Sequence, residues 1–177
     1  SSSFFGSAVA SIGDINGDSI RDLIVGALGN GLGVFVPSYV FVFSGADSSL
    51  LLTLNDPNSV GVEDERGATF GSVVVSLDDV NGDGKPDILV GDGQQDAGGN
   101  IDQGQVHIFS GATGALIRTI NHPHPQAEAF FGASAALIAD ISGDGVGDIV
   151  VGAPRQDVGA NPDQGRVYVF NGVTGAL

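Results

Sequence analysis

The chain has no cysteine among its 177 residues, so a disulfide framework, a thiol nucleophile and a thiolate metal site are all excluded. Basic residues are scarce: 6 Lys and Arg stand against 21 Asp and Glu, for a net charge of −15. A surface that acidic, with no Lys/Arg cluster to offset it, repels nucleic acid and anionic lipid, and nucleic-acid binding is excluded. No apolar run approaches the roughly 18 residues of a membrane span, which argues against membrane insertion. The start, Ser1-Ser2-Ser3, has neither the charge nor the apolar stretch of a leader, so the expectation is a processed chain without a signal peptide. No Asn-x-Ser/Thr sequon occurs. No segment carries a helical apolar stripe, and no nucleophile elbow, phosphate loop or zinc motif is found, so the chain is not expected to be an enzyme.

What is present is a nine-residue acidic loop, three times over. The copies run from Asp14 to Asp22, from Asp79 to Asp87 and from Asp140 to Asp148. Oxygen-bearing side chains stand at positions 1, 3, 5 and 9 of each: Asp14, Asn16, Asp18 and Asp22; Asp79, Asn81, Asp83 and Asp87; Asp140, Ser142, Asp144 and Asp148. In a tightly wound loop positions 1, 3 and 5 converge, and the position-7 carbonyls of Ile20, Lys85 and Val146 add a neutral oxygen. A hard cation such as Ca2+ takes six to eight such oxygens. Asn, Asp and Gly also form ordinary turns, but turn chemistry does not require a carboxylate at all three of positions 1, 5 and 9. The expectation is three Ca2+ sites, which would bring the net charge to about −9. A hydroxyl is a poorer ligand than an amide carbonyl, so the Ser142 site is expected to be the weakest. Weak, solvent-accessible oxygen sites suit millimolar calcium, which favours an extracellular location.

The loops sit inside a larger repeat. Phe5-Gly6, Phe70-Gly71 and Phe131-Gly132 are separated by 65 and 61 residues, and the first loop aspartates keep the same separations. Each block reads as a small-residue strand, the acidic loop, a second strand, a glycine-rich connection and a third strand such as Val167-Tyr168-Val169-Phe170. A fourth strand follows Ser44-Gly45-Ala46 and Ser110-Gly111-Ala112. β-Branched and aromatic enrichment, short lengths and turn punctuation favour strands. The fold class expected is all-β, with propeller-type blades of four antiparallel strands. Three blades fall at about 4–55, 69–121 and 130–177, in one domain over 1–177, the last lacking its outer strand.

In this order of elements the sequence resembles the FG-GAP repeat family, the calcium-loop β-propeller of integrin α subunits and many secreted bacterial proteins. Phe131-Gly132, the loop Asp140 to Asp148, Gly152-Ala153-Pro154 and Gly165 to Phe170 reproduce the family pattern. The second block departs with Gly91-Asp92-Gly93 in place of Gly-Ala-Pro, and the first with Gly26-Ala27-Leu28. The resemblance implies an extracellular calcium-stabilised module for adhesion or for binding a protein or glycan. Three blades fall short of the 4 to 8 of a closed propeller, which leaves a piece of a longer propeller, two chains closing a ring, or a filament built through unpaired edges. A non-catalytic part of a secreted hydrolase is a third reading.

Two further segments are read as structural. Gln95 to Gly104 and Gln156 to Gly165 match each other and could hold a ligand or cation, but their Gly, Asn, Asp and Pro content favours a long hairpin; Gly29-Asn30-Gly31-Leu32-Gly33 lacks their acids. Asn121-His122-Pro123-His124-Pro125 reads as an extended interblade linker rather than a two-imidazole metal clip. The acid runs Asp78-Asp79 and Glu63-Asp64-Glu65 read as solvated charge or as acids supporting calcium at the loop edge, rather than as a general acid and base. His107, alternating with Val106 and Ile108, is assigned no role.

Overall fold

The computed structural model describes residues 4–29, 37–59 and 69–177. Asn30 to Gly33 and the run Glu63-Asp64-Glu65 lie outside the described residues. Among these described residues eleven strands form three antiparallel sheets of four, four and three. The first sheet holds β1 (Phe4–Ile12), β2 (Asp22–Leu28), β3 (Tyr39–Phe43) and β4 (Leu50–Asn55). The second holds β5 (Val73–Ser76), β6 (Ile88–Asp92), β7 (Gln105–Phe109) and β8 (Leu116–Asn121). The third holds β9 (Ser134–Leu137), β10 (Ile149–Ala153) and β11 (Arg166–Phe170). Within each sheet spatial order follows chain order, so each is a meander of consecutive hairpins, the plan of a propeller blade. The bond from the Asn171 amide to the Ala176 carbonyl repeats those from Ser44 to Ser49 and from Ser110 to Ala115. The turn leading toward a fourth strand is therefore formed in the third sheet as well.

Neighbouring sheets stack face to face, and the alternation of side chains along each strand explains the two cores. Between the first and second sheets lie Ile12, Ile24, Val40, Val42 and Leu54 from one side and Phe70, Val74, Ile88, Val90 and Phe109 from the other. Between the second and third lie Leu77, Leu89, Val106, Ile108 and Ile120 against Phe131, Ile149, Val151, Tyr168 and Phe170. The middle sheet is covered on both faces, so β6 is buried at every residue. On β11 only Tyr168 and Phe170 are buried, while Val167 and Val169 face outward. The sheets come together along their first strands, β1 beside β5 and β5 beside β9. Small residues such as Ala8, Ala10 and Ala135 permit that approach.

The Phe-Gly pairs are the wedges of this stack. Phe70 and Phe131 are fully buried, whereas Phe5 is 59% exposed because no described sheet lies in front of the first. Gly71 and Gly132 donate to the Gly91 and Gly152 carbonyls of their own β6 and β10. Their carbonyls press on the preceding sheet, where a Cβ on Gly26 or Gly91 would lie only 2.1 or 2.4 Å from the Gly71 or Gly132 oxygen. Glycine is thus required on both sides of that contact.

The candidate metal-binding loops

Each acidic loop joins the first two strands of its sheet and is wound by its own carboxylates. Asp14 Oδ1 accepts the amides of Gly17 and Asp18, and its Oδ2 that of Ser19 at 2.8 Å. Asp79 accepts from Gly82, Asp83 and Gly84, and Asp140 from Gly143, Asp144 and Gly145, in the same pattern. This winding needs positive φ at positions 4 and 6. Gly17, Gly82, Gly84, Gly143 and Gly145 supply it, and Ser19 adopts φ 70° without glycine's freedom.

Position 5 ties the loop to the turn beyond the third strand. Asp18 Oδ2 accepts from Ser44 Oγ, Asp83 Oδ2 from Ser110 Oγ, and Asp144 Oδ2 from Asn171 Nδ2. Its other oxygen takes the position-7 amide of Ile20, Lys85 or Val146. At position 3, Asn16 and Asn81 donate to Asp18 and Asp83 at 2.8 Å. Ser142 donates instead to Asp140 Oδ1 at 3.1 Å.

Position 9 is the buried base. Asp22, Asp87 and Asp148 are all buried, and each carboxylate bridges two parts of its sheet. One oxygen accepts the position-2 amide of Ile15, Val80 or Ile141, and the other the amide of Gly45, Gly111 or Gly172. A Cβ on any of these three glycines would lie about 2 Å from the position-8 carbonyl. Neighbouring loops also touch. Lys85 Nζ reaches the Asp14 carbonyl at 2.9 Å, and the Gly147 amide reaches Asp78 Oδ2 at 2.9 Å, so Asp78 is a contact between sheets.

The electrostatics follow the bonds. Amides of Ser19, Gly17 and Asp18 hold the Asp14 carboxyl below its ordinary value, and those of Gly145, Gly143 and Asp144 do the same for Asp140. Asp83 is lowered chiefly by Asn81 and Ser110. Burial opposes ionisation of Asp148, but the Ile141, Gly172 and Ser142 amides prevail and its value falls. Asp87 goes the other way: burial outweighs the Gly111 and Val80 bonds, and Asp83 and Asp79 repel its charge. Each loop thus offers an all-oxygen donor set graded from an open rim to a buried base, the chemistry that suits a hard dication. A bound Ca2+ would be held by the residues at positions 1, 3, 5, 7 and 9 and would offset the repulsion among the acids.

The long hairpins are also accounted for. In each, one backbone bridge closes the tip, Ala97 with Asn100 and Val158 with Asn161. Asp96 and Asp157 cap the Asp102 and Asp163 amides at 2.8 and 2.9 Å. The second sheet's hairpin then receives the third sheet's lead-in, through bonds from Glu128 to Ile101, Phe130 to Asp102 and Phe131 to Gln103. His122 is buried against Phe131 and Tyr168, while the His124 ring stacks on Tyr168. The prolyl segment therefore serves as an interblade link.

A sequence model of the FG-GAP repeat matches residues 70–109 and 131–170, the cores of the second and third sheets. The chain carries two FG-GAP repeats. The first sheet has the same strand order and loop bonds outside those matched ranges. Mouse integrin alpha-8 is 32% identical over 96% of this chain, Xenopus laevis integrin alpha-4 is 31% identical over 88%, and mouse integrin alpha-IIb is 32% identical over 85%. The chain spans only about 15% of the length of these curated relatives.

Among the described residues, one group of three acid or histidine side chains brings its ligand atoms within 4.8 Å of one another, and it lies outside the FG-GAP loops. It consists of Asp56, Asp92 and His107. Reasoning from sequence missed it. The available signal was Gly91-Asp92-Gly93, where an acid replaces the usual alanine.

Proposed function

We propose that this chain forms part of an extracellular, integrin-like β-propeller used for adhesion, in which Ca2+ bound at each FG-GAP loop fixes the blades. The observation that carries this reading is the threefold recurrence of one network, in which the position-1 carboxylate winds the loop and those at positions 5 and 9 join it to the turn after the third strand. An ion there would neutralise clustered acids and stabilise the folded chain by mass action. The metal is structural, and the binding surface for a protein or glycan ligand is built by the loops between strands. Integrin relatives over most of the chain support adhesion over catalysis. Thermal unfolding in chelator and in millimolar calcium tests the reading: the midpoint rises with calcium and calorimetry counts three ions. Equal midpoints in both conditions would reject it.

A second reading, self-assembly, rests on two open faces. On the first sheet Phe5, Val9 and Leu23 are exposed at positions equivalent to the buried Phe70, Val74 and Ile88; on the third, Ile141, Val167 and Val169 are exposed where Val80, Val106 and Ile108 are buried. The occupant we assign to each face is another FG-GAP sheet, since the two internal interfaces are built from these same surfaces. Light scattering with and without calcium decides whether a second copy supplies it. A calcium-dependent dimer or polymer that dissociates in Phe5→Ser supports self-assembly, and a monomer under every condition rejects it.

A further inference from the structure

The buried junction between the first two sheets carries a feature that the FG-GAP plan does not call for. Asp56 follows β4, Asp92 ends β6, and His107 is central in β7, so three separate segments of two sheets converge. His107 is completely buried, and its Nε2 has no hydrogen-bond partner. Its Nδ1 lies 3.0 Å from Thr119 Oγ1 on β8. Ring geometry then turns Nε2 away from β8, back across β7 toward β6, the strand that bears Asp92. Buried polar atoms are nearly always satisfied, and a buried imidazole with one unsatisfied nitrogen, whose ring offers a ligand atom within 4.8 Å of both carboxylates, has the arrangement of a ligand awaiting a cation.

We propose that Asp56, Asp92 and His107 bind one transition-metal dication, with Zn2+ as the reference ion, at the interface of the first and second blades. The donor set of one imidazole nitrogen and two carboxylates distinguishes this site from the oxygen-only loops and suits zinc better than calcium. Three protein ligands leave the fourth tetrahedral position for water. Ligand atoms no more than 4.8 Å apart must draw together to about 3.4 Å to share tetrahedral metal bonds of about 2.0 to 2.2 Å. The supporting contacts are in place: with Nδ1–H donating to Thr119 Oγ1 the Nε2 lone pair is left for metal, and Thr69 Oγ1 donates to Asp92 Oδ1 at 2.7 Å.

The fold does not demand these residues. At the equivalent positions of the next interface stand His122, Ala153 and Tyr168, with Tyr168 opposite Val151 as His107 is opposite Val90. One junction has ligands where the other has an aromatic cluster. Asp92→Ala and His107→Tyr therefore exchange each residue for one that another blade accommodates.

The test uses the whole chain with its loops saturated by calcium, titrated with Zn2+ alone by calorimetry and with Co2+ followed by visible absorption. One equivalent is expected to bind, at least tenfold more weakly in Asp92→Ala and in His107→Tyr, and unchanged in the double variant His122→Phe/His124→Ala. Long-range 1H–15N spectra of the unaltered protein should show the His107 Nε2 resonance moving with zinc, which decides the matter even if a variant fails to fold. No zinc binding, equal affinity in folded Asp92→Ala and His107→Tyr, or a shift confined to His122 and His124 would overturn the proposal.

Discussion

The Gly45 amide donates to Asp22 Oδ1 at 3.1 Å, and the same bond joins Gly111 to Asp87 and Gly172 to Asp148. The closing aspartate of each loop is therefore a bracket in the sheet, whatever its role toward a metal. Replacing Asp87 by Ala leaves the buried Val80 and Gly111 amides without acceptors. The expected loss is about 3 kcal/mol of stability, measured by urea unfolding, and it should persist in chelator. A loss seen only with calcium would mean that the residue acts through the ion alone.

Ser19 holds a left-handed backbone at φ 70° where the other two loops have Gly84 and Gly145. Relief of that strain is worth about 1 kcal/mol, partly offset by the greater freedom that glycine has in the unfolded chain. Ser19→Gly should therefore raise unfolding stability by a net amount of about 0.5 kcal/mol, with the Ser19-equivalent amide still bonded to Asp14. Destabilisation on substitution would show that the hydroxyl does something the backbone does not.

Strand order and the acidic loops were legible in the sequence because both are local: alternation, turn residues and oxygen spacing fall within a few positions of one another. The turn that leads toward a fourth strand in the third sheet could also be read by comparing Asn171-Gly172-Val173 with Ser110-Gly111-Ala112. What lay hidden comes from stacking one sheet on the next. Phe5, Phe70 and Phe131 look equivalent in the chain, yet the first is exposed and the others are buried, since only the latter two have a sheet in front of them. Asp92 and His107 neighbour each other on β6 and β7, but Asp56 joins them only across a junction between sheets. The bracket made by Asp22, Asp87 and Asp148 was likewise invisible, because its glycine partners lie two strands away.

The third loop differs from the others at one ligand position. Asn16 and Asn81 each donate to the position-5 carboxylate and accept its amide, at 3.0 and 2.8 Å, whereas Ser142 bonds Asp140 and receives Asn171 Nδ2. Ser142→Asn should restore an amide oxygen and tighten that site by a factor on the order of ten, about 1.4 kcal/mol. Calcium calorimetry would then change from two strong sites and one weak to three of similar strength. An unchanged isotherm would mean that position 3 does not set affinity.

His122 gives the interblade link an acid sensitivity of definite sign. The ring is buried between Phe131 and Tyr168, and burial lowers its value from 6.5 to about 4 against the opposing effect of the His124 backbone. The unfolded chain therefore takes up a proton that the folded chain refuses as pH falls from 6.5 toward 4. This contribution to stability is intact above pH 6.5 and declines through that window, by at most about 1.4 kcal/mol per pH unit for one group. The rim carboxylates of Asp14, Asp83 and Asp140 are lowered, away from this window, but Asp56 and Asp87, both raised by burial, and His107, lowered to about 4, also change stability across it, so the part due to His122 is the difference between the variant and the unaltered chain. His122→Phe keeps an aromatic ring against Phe131 and Tyr168 and removes the proton. Unfolding free energies measured from pH 7 to 4.5 should fall less steeply in the variant, and parallel curves would show that His122 becomes protonated in the folded protein without cost.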